Sequence, residues 1–134
     1  MARERILVAD DEPDVRFTIA EHLQSLGYAV EEADSCAQAV ARFRAGRIDA
    51  AILDYSMPDG NSVELLPRLR QLEPEAPIVI LTGQGSIALA VQAIQAGADQ
   101  FLTKPVELPA LALVVERLVA RRRAGRRDVA GRRR

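Results

Sequence analysis

Three acids in a row, Asp10, Asp11 and Glu12, directly follow the apolar run Ile6-Leu7-Val8-Ala9. A further aspartate, Asp54, follows Ala50-Ala51-Ile52-Leu53; a hydroxyl, Thr82, follows Ile78-Val79-Ile80-Leu81; and Lys104-Pro105 follows Gln100-Phe101-Leu102-Thr103. Each group sits just past a short β-rich stretch, where an open parallel sheet gathers its functional side chains. If the stretches belong to one sheet, three aspartates, a hydroxyl and an ammonium converge at one edge from distant parts of the chain.

Such a set is electrostatically unfavourable on its own, because carboxylates about 4 Å apart repel by roughly 4 kcal/mol at an effective dielectric of 20. A cation relieves that repulsion. All-oxygen donors suit a hard ion, and Mg²⁺ is typically held by one or two carboxylates together with waters and phosphate oxygens. With an ion in place, one carboxylate can serve as a nucleophile toward phosphorus. The ammonium of Lys104 would then neutralise charge on equatorial phosphoryl oxygens, and Thr82 would donate a hydrogen bond to one of them.

The chain that must position these groups alternates β-rich runs with helical patterns about five times, the mark of a parallel sheet covered on both faces. The remaining strand is Ala29-Val30-Glu31-Glu32. Val15, Ile19, Leu23 and Leu26 recur at helical spacing after Pro13, a good first-turn residue. Ser35 with Gln38, and Asn61 with Glu64, read as capping boxes ahead of Val40 and Phe43 and of Leu65, Leu66 and Leu69. Ser86 precedes Ile87, Ala90, Val91 and Ile94, with Gly97 at the stop, and Leu108, Leu111, Val115 and Leu118 mark the last helix.

Val8-Ala9-Asp10-Asp11-Glu12-Pro13, Leu53-Asp54-Tyr55-Ser56-Met57-Pro58, Leu81-Thr82-Gly83 and Phe101-Leu102-Thr103-Lys104-Pro105 resemble, in order and at the strand ends, the signature segments of response-regulator receiver domains of two-component systems. The resemblance covers residues 5 to about 119. It implies a doubly wound five-stranded sheet, flavodoxin-like (βα)5, with strand order 2-1-3-4-5. It also implies that Asp54 is the phosphoacceptor served by a sensor histidine kinase, and that Lys104 and Thr82 assist. Mg²⁺ would be bound directly by Asp11, mainly through water by Asp10, and by Asp54 and the Ser56 main-chain carbonyl.

The same resemblance makes Phe101 the switch aromatic, coupled to Thr82, with helix four, strand five and helix five as the face that changes and pairs two copies after phosphorylation. A cis Lys104-Pro105 bond is implied as well. No external substrate follows: the domain would catalyse only its own phosphorylation and dephosphorylation. Leu81-Thr82-Gly83-Gln84-Gly85-Ser86 and Gln100-Phe101-Leu102-Thr103-Lys104-Pro105-Val106 look most like receivers of NtrC-type, sigma-54-dependent transcription activators. One departure is Asn61-Ser62, where many members have Asp-Gly. Ser56 and Gln84 occupy positions that tune phosphoryl lifetime in the family.

Composition bounds the rest. A chain of 134 residues, 49% apolar, suits one domain, expected as a receiver over residues 1–120 followed by an arginine-rich helix end or linker over 121–134. Residues 117–134 hold nine of the 18 Lys+Arg and one of the 19 Asp+Glu, so the tail is 9 − 1 = +8 and the body 9 − 18 = −9. The tail has no aromatic to stack a base, so DNA is expected only through an output domain. Ala124-Gly125-Arg126-Arg127 read like the start of a connector to such a domain beyond Arg134; the alternative is a stand-alone receiver in a phosphorelay or protein-interaction signalling. No apolar run spans a bilayer, and a cytoplasmic location is expected.

Cys36 stands alone, which excludes an internal disulfide and a cysteine metal cage. Gly83-Gln84-Gly85-Ser86-Ile87-Ala88 fits a dinucleotide fingerprint, but Thr103 and Lys104 occupy the place of its ribose-binding acid. There is no Walker A motif. Aspartyl-phosphate phosphatases want a carboxylate where Ser56 stands.

Overall fold

The structure, a computed structural model, describes residues 3–132, with side chains described as far as residue 125. Five strands form one parallel sheet: β1 (Arg5–Ala9), β2 (Ala29–Ala33), β3 (Ala50–Asp54), β6 (Ile78–Thr82) and β7 (Gln100–Thr103), in the order β2-β1-β3-β6-β7. Counted without the short β4 (Ser56–Met57) and β5 (Gly60–Asn61), which pair as an antiparallel turn after β3, this is the 2-1-3-4-5 order that the family resemblance implied. The helices are α1 (Pro13–Ser25), α2 (Cys36–Ala45), α3 (Ser62–Leu72), α4 (Ile87–Ala96) and α5 (Leu108–Arg132).

Strand alternation sorts the core into two layers. Leu7, Ala9, Ala51, Leu53, Ile78 and Ile80 face one side, where they meet Val40 and Phe43 of α2 and Leu66 and Leu69 of α3. Ile6, Val8, Ile52, Val79 and Leu81 face the other, against Ile19 and Leu23 of α1 and Leu111, Val115 and Leu118 of α5. The central strands β1, β3 and β6 are almost wholly buried, which is why they read as unbroken apolar runs. Their register aligns Ala9 with Leu53, and Asp54 with Leu81. The chain therefore leaves the sheet at nearly one level at the carboxyl edge.

The caps hold largely as their patterns suggest: Ser35, Asn61 and Ser86 accept from the amides of Gln38, Glu64 and Leu89. The Gln38 side chain accepts from the amide of Asp34 rather than from its cap residue. Leu26 leaves the expected stripe, since α1 stops at Ser25 and Leu26 lies exposed at its C-cap. Ser62 needs no glycine freedom: it is fully buried without a positive φ.

Two helices differ more. In α4 the small Ala93 faces the core, whereas Ile87, Val91 and Ile94, spaced one turn apart, are 86%, 49% and 48% exposed. Alanine lets the helix approach the sheet closely and leaves the bulky stripe outward. In α5, Arg122 is not solvated with its neighbours. Its side chain is 7% exposed and ion-paired to Asp49 and Glu73, and it donates to the main-chain oxygen of Asp49 at 2.9 Å. The helix continues through Ala124 and Gly125 to Arg132, where the sequence suggested the start of a connector. Residues 133–134 lie outside the described residues.

Candidate functional site

Asp10, Asp54 and Thr82 are 2%, 6% and 4% exposed, three of the four buried polar residues among the described residues, in a core otherwise made of hydrocarbon. They are buried because the strands carry them there: Asp54 and Thr82 are the last residues of β3 and β6, and Asp10 follows β1. Lys104, one residue past β7, donates to an Asp10 carboxylate oxygen at 3.0 Å and stands 3.3 Å from a carboxylate oxygen of Asp54. The Lys104-Pro105 bond is cis. Three chain segments thus meet at one ammonium, and Thr82 lines the same cavity.

Asp10 is fixed at both ends. Its amide donates to the Ala33 carbonyl, its carbonyl accepts from Arg16 at 2.8 Å, and its other carboxylate oxygen accepts from the Glu12 amide at 2.9 Å. Asp11 and Glu12 are exposed, and one carboxylate oxygen from each of Asp10, Asp11 and Glu12 falls within 4.8 Å of the others. Asp54 lies outside that group but opens on the same cavity of about 770 Å³, which Asp11, Ser56, Thr82, Gly85 and Lys104 also line.

The charge is out of balance. Burial, then repulsion from Asp10, pushes the Asp54 carboxyl from 3.8 up to about 6, although Lys104 and its hydrogen bond pull the other way. Burial would lower the Lys104 ammonium, but its hydrogen bond to Asp10 and the charges of Asp54 and Asp10 outweigh that and raise it. A hard divalent cation fits this donor set: several carboxylate oxygens, no nitrogen or sulfur ligand, and one carboxyl pushed up by burial and by the charge of a neighbouring acid.

The other candidates fall around this centre. The Thr82 hydroxyl is engaged with its own loop, accepting from the Gln84 amide at 3.2 Å and donating to the Gln84 carbonyl at 3.4 Å. Gly85 lies so close to β7 that a Cβ there would meet the Thr103 methyl. Phe101 lies away from the pocket, half-buried against the core layer that contains Ile80 and Ala98. Tyr55 lines the pocket beside Asp54. His22 is in the last turn of α1, apart from it. The Cys36 thiol is buried and pushed up to about 11 by burial and then by Asp59, so it is inert.

Two supporting residues had partners that no sequence signal disclosed. Arg16, which also bonds Glu32, grips the Asp10 carbonyl from α1. Asp59 sits in a turn that Pro58-Asp59-Gly60 announces, but its partners are 22 and 23 residues away.

Residues 6–116 match the response regulator receiver domain. The chain is 34% identical over 108 residues to the response regulator protein PilR of Pseudomonas aeruginosa, covering 81% of this chain and 24% of that protein. It is 34% identical over 117 residues to the DNA-binding transcriptional regulator NtrC of Azospirillum brasilense, covering 87% and 24%. The chain therefore spans about a quarter of the length of these relatives.

Among solved structures, a CheY-like receiver domain protein from Methanospirillum hungatei superposes with a TM-score of 0.89 at 27% identity, covering 92% of this chain and 99% of that one. A Burkholderia pseudomallei response regulator with a phosphorylated aspartic acid, calcium ion and citrate gives 0.81 at 31%, covering 92% and 72%. The beryllofluoride-activated NtrC4 receiver domain dimer gives 0.84 at 28%, covering 89% and 98%. A match across residues 6–116, on a fold these neighbours share, makes this chain a member of the response regulator receiver domain family.

Proposed function

We propose that Asp54 accepts a phosphoryl group from the phosphohistidine of a sensor histidine kinase, in a Mg²⁺-dependent reaction in the bacterial cytoplasm, and that the new charge switches a transcriptional output. The observation that carries this reading is the buried Asp54 carboxylate, 3.3 Å from the Lys104 ammonium and crowded by Asp10. An Asp54 oxygen attacks phosphorus, the bond from phosphorus to the kinase histidine nitrogen breaks, and the electron pair leaves on the imidazole. Lys104 holds positive charge beside the phosphoryl oxygens as they arrive.

Asp10, Asp11, Asp54 and the Ser56 main-chain carbonyl are the groups that would hold Mg²⁺. When bound, the ion supplies the charge that offsets the carboxylates and draws phosphoryl oxygens toward Asp54. The Burkholderia neighbour, a response regulator with a phosphorylated aspartic acid and a calcium ion, is in keeping with a divalent cation in this fold. The domain acts on no external substrate and catalyses only the arrival and loss of its own phosphoryl group.

Switching follows from bistability. To donate to a phosphoryl oxygen, the Thr82 hydroxyl must leave Gln84, which frees the loop before α4 and opens space for the Phe101 ring. The affected face carries the exposed Ile87, Val91 and Ile94, which fit a second copy of the chain; the activated NtrC4 neighbour is a dimer. DNA would be reached through an output domain, the NtrC relative being a DNA-binding transcriptional regulator.

Incubation with acetyl phosphate and Mg²⁺ should add one phosphoryl group by intact mass, and EDTA should prevent it. Asp54→Asn should remain unlabelled; its labelling at the wild-type rate would overturn the assignment.

A further inference from the structure

The turn after β3 is tied to a distant helix by one side chain. Asp59, at the tip between β4 and β5, accepts from the amide of Cys36 at 2.8 Å through one carboxylate oxygen and from the amide of Ala37 at 3.0 Å through the other. These are two of the orphan donors at the start of α2. Ser35 takes the amide of Gln38, so the helix already carries its own cap. These amides hold the Asp59 carboxyl below its usual range, as charge-assisted bonds do. The clamp serves two further amides of α2, and in doing so it ties the turn after β3 to that helix across 22 and 23 residues.

What the clamp fixes is the backbone on the other side of the turn. Met57 pairs with Gly60 and Ser56 with Asn61, and the Tyr55 carbonyl accepts from the amide of Ser62. Gly60 turns the chain at a φ of 145° that other residues rarely adopt. With Asp59 anchored, this small hairpin is held against rocking about the end of β3, and Ser56 keeps its place in the lining of the cavity it shares with Asp11 and Asp54. Because α2 packs on the layer that contains Leu7 and Ala9, the anchor refers the hairpin to β1, the strand that leads into those acids.

We propose that Asp59 is a positioning residue for the cation site: it touches neither ion nor phosphoryl group, but sets where the Ser56 carbonyl stands. The inference rests on the Mg²⁺ reading above and deepens it. Outer groups that orient metal ligands are typically worth about 10- to 100-fold in affinity.

The test is Mg²⁺ titration of the full chain by calorimetry, with amide exchange of Cys36 and Ala37 measured in metal-free protein. Asp59→Ala should speed exchange at both amides and weaken Mg²⁺ binding by roughly tenfold or more. Asp59→Asn, which keeps one acceptor without the charge, should recover most of the affinity. Ser35→Ala removes the helix's own cap while leaving the clamp, and should lower stability with Mg²⁺ affinity within about twofold of wild type. Wild-type affinity in Asp59→Ala, an equal loss in Ser35→Ala, or an Asn variant as weak as the Ala variant would each overturn the role of the clamp. Absence of Mg²⁺ binding by the wild-type chain would instead overturn the Mg²⁺ reading itself.

Discussion

Replacing Asp54 by Asn should stabilise the metal-free protein, although it removes a buried charge that has an ionic partner. The Asp54 carboxyl titrates at about 6 in the fold against 3.8 in its ordinary state, burial being the larger cause and Asp10 the next. Below 3.8 both native and unfolded chains hold the proton, and the group has no net effect. Between those values the native state keeps a proton that the unfolded chain has released, so stability falls as pH rises. Above about 6 the penalty is complete, and a difference of about two pKa units corresponds to about 3 kcal/mol. Asn keeps the shape and cannot ionise, while Lys104 retains Asp10 at 3.0 Å.

Urea unfolding followed by circular dichroism in EDTA should therefore show Asp54→Asn more stable by about 2–3 kcal/mol near pH 7.5, with the gap closing toward about pH 4. Comparing variant with wild type at each pH cancels the other carboxylates, including Asp59, whose lowered carboxyl contributes in the opposite sense. Saturating Mg²⁺ should narrow the gap at neutral pH, because the ion binds native wild-type protein in preference to its unfolded chain. An Asn variant less stable than wild type at neutral pH, or a gap that is independent of pH, would refute the charge imbalance at this edge.

Two other perturbations separate the remaining features. Arg122→Ala would strand Asp49 and Glu73 and empty a buried side-chain volume, so it should cost about 2–4 kcal/mol in urea unfolding while leaving acetyl phosphate labelling unchanged. Ile87→Glu, on a residue 86% exposed, should alter stability by no more than about 0.5 kcal/mol. It should nonetheless abolish phosphorylation-dependent pairing in sedimentation velocity, and dimerisation equal to wild type would remove α4 from the interface.

Where periodicity and chemistry agreed, the sequence was informative. Unbroken apolar runs marked β1, β3 and β6 because strands buried on both faces have no polar side to show, and acids just past them could only be functional or destabilising. Strand order was not legible from alternation and came from the family resemblance, since either neighbour of a central strand buries the same hydrocarbon. The α4 stripe illustrates a different limit. Helical spacing shows that Ile87, Val91 and Ile94 share a face, but not that Ala93 on another face is the one the sheet accepts. Arg122 was hidden for a similar reason, because three adjacent arginines read alike until the fold presents carbonyls and acids to one of them. Asp59 showed its turn but not its partner, as a contact across 22 and 23 residues leaves no periodic trace.

The two edges of the sheet are built in opposite electrostatic styles, and the contrast bears on how the site works. At the amino edge, Asp49 accepts from the amide of Arg5 at 2.8 Å and faces Arg122, and Asp99 accepts from the amide of Ile78 at 2.8 Å and faces Arg70. Both of these aspartates have an arginine and a backbone donor. At the carboxyl edge, Asp10 and Asp54 share the single ammonium of Lys104, with Asp11 and Glu12 close by. A fold with balanced ion pairs and an apolar core at one end can tolerate unbalanced charge at the other without unfolding. That imbalance would then be available to binding: by linkage, the free energy that raises the Asp54 carboxyl would be released by a cation that restored neutrality. On the Mg²⁺ reading proposed above, burial and repulsion among these acids would be the source of cation affinity at this edge, and the matched pairs at the opposite edge are what make the imbalance tolerable.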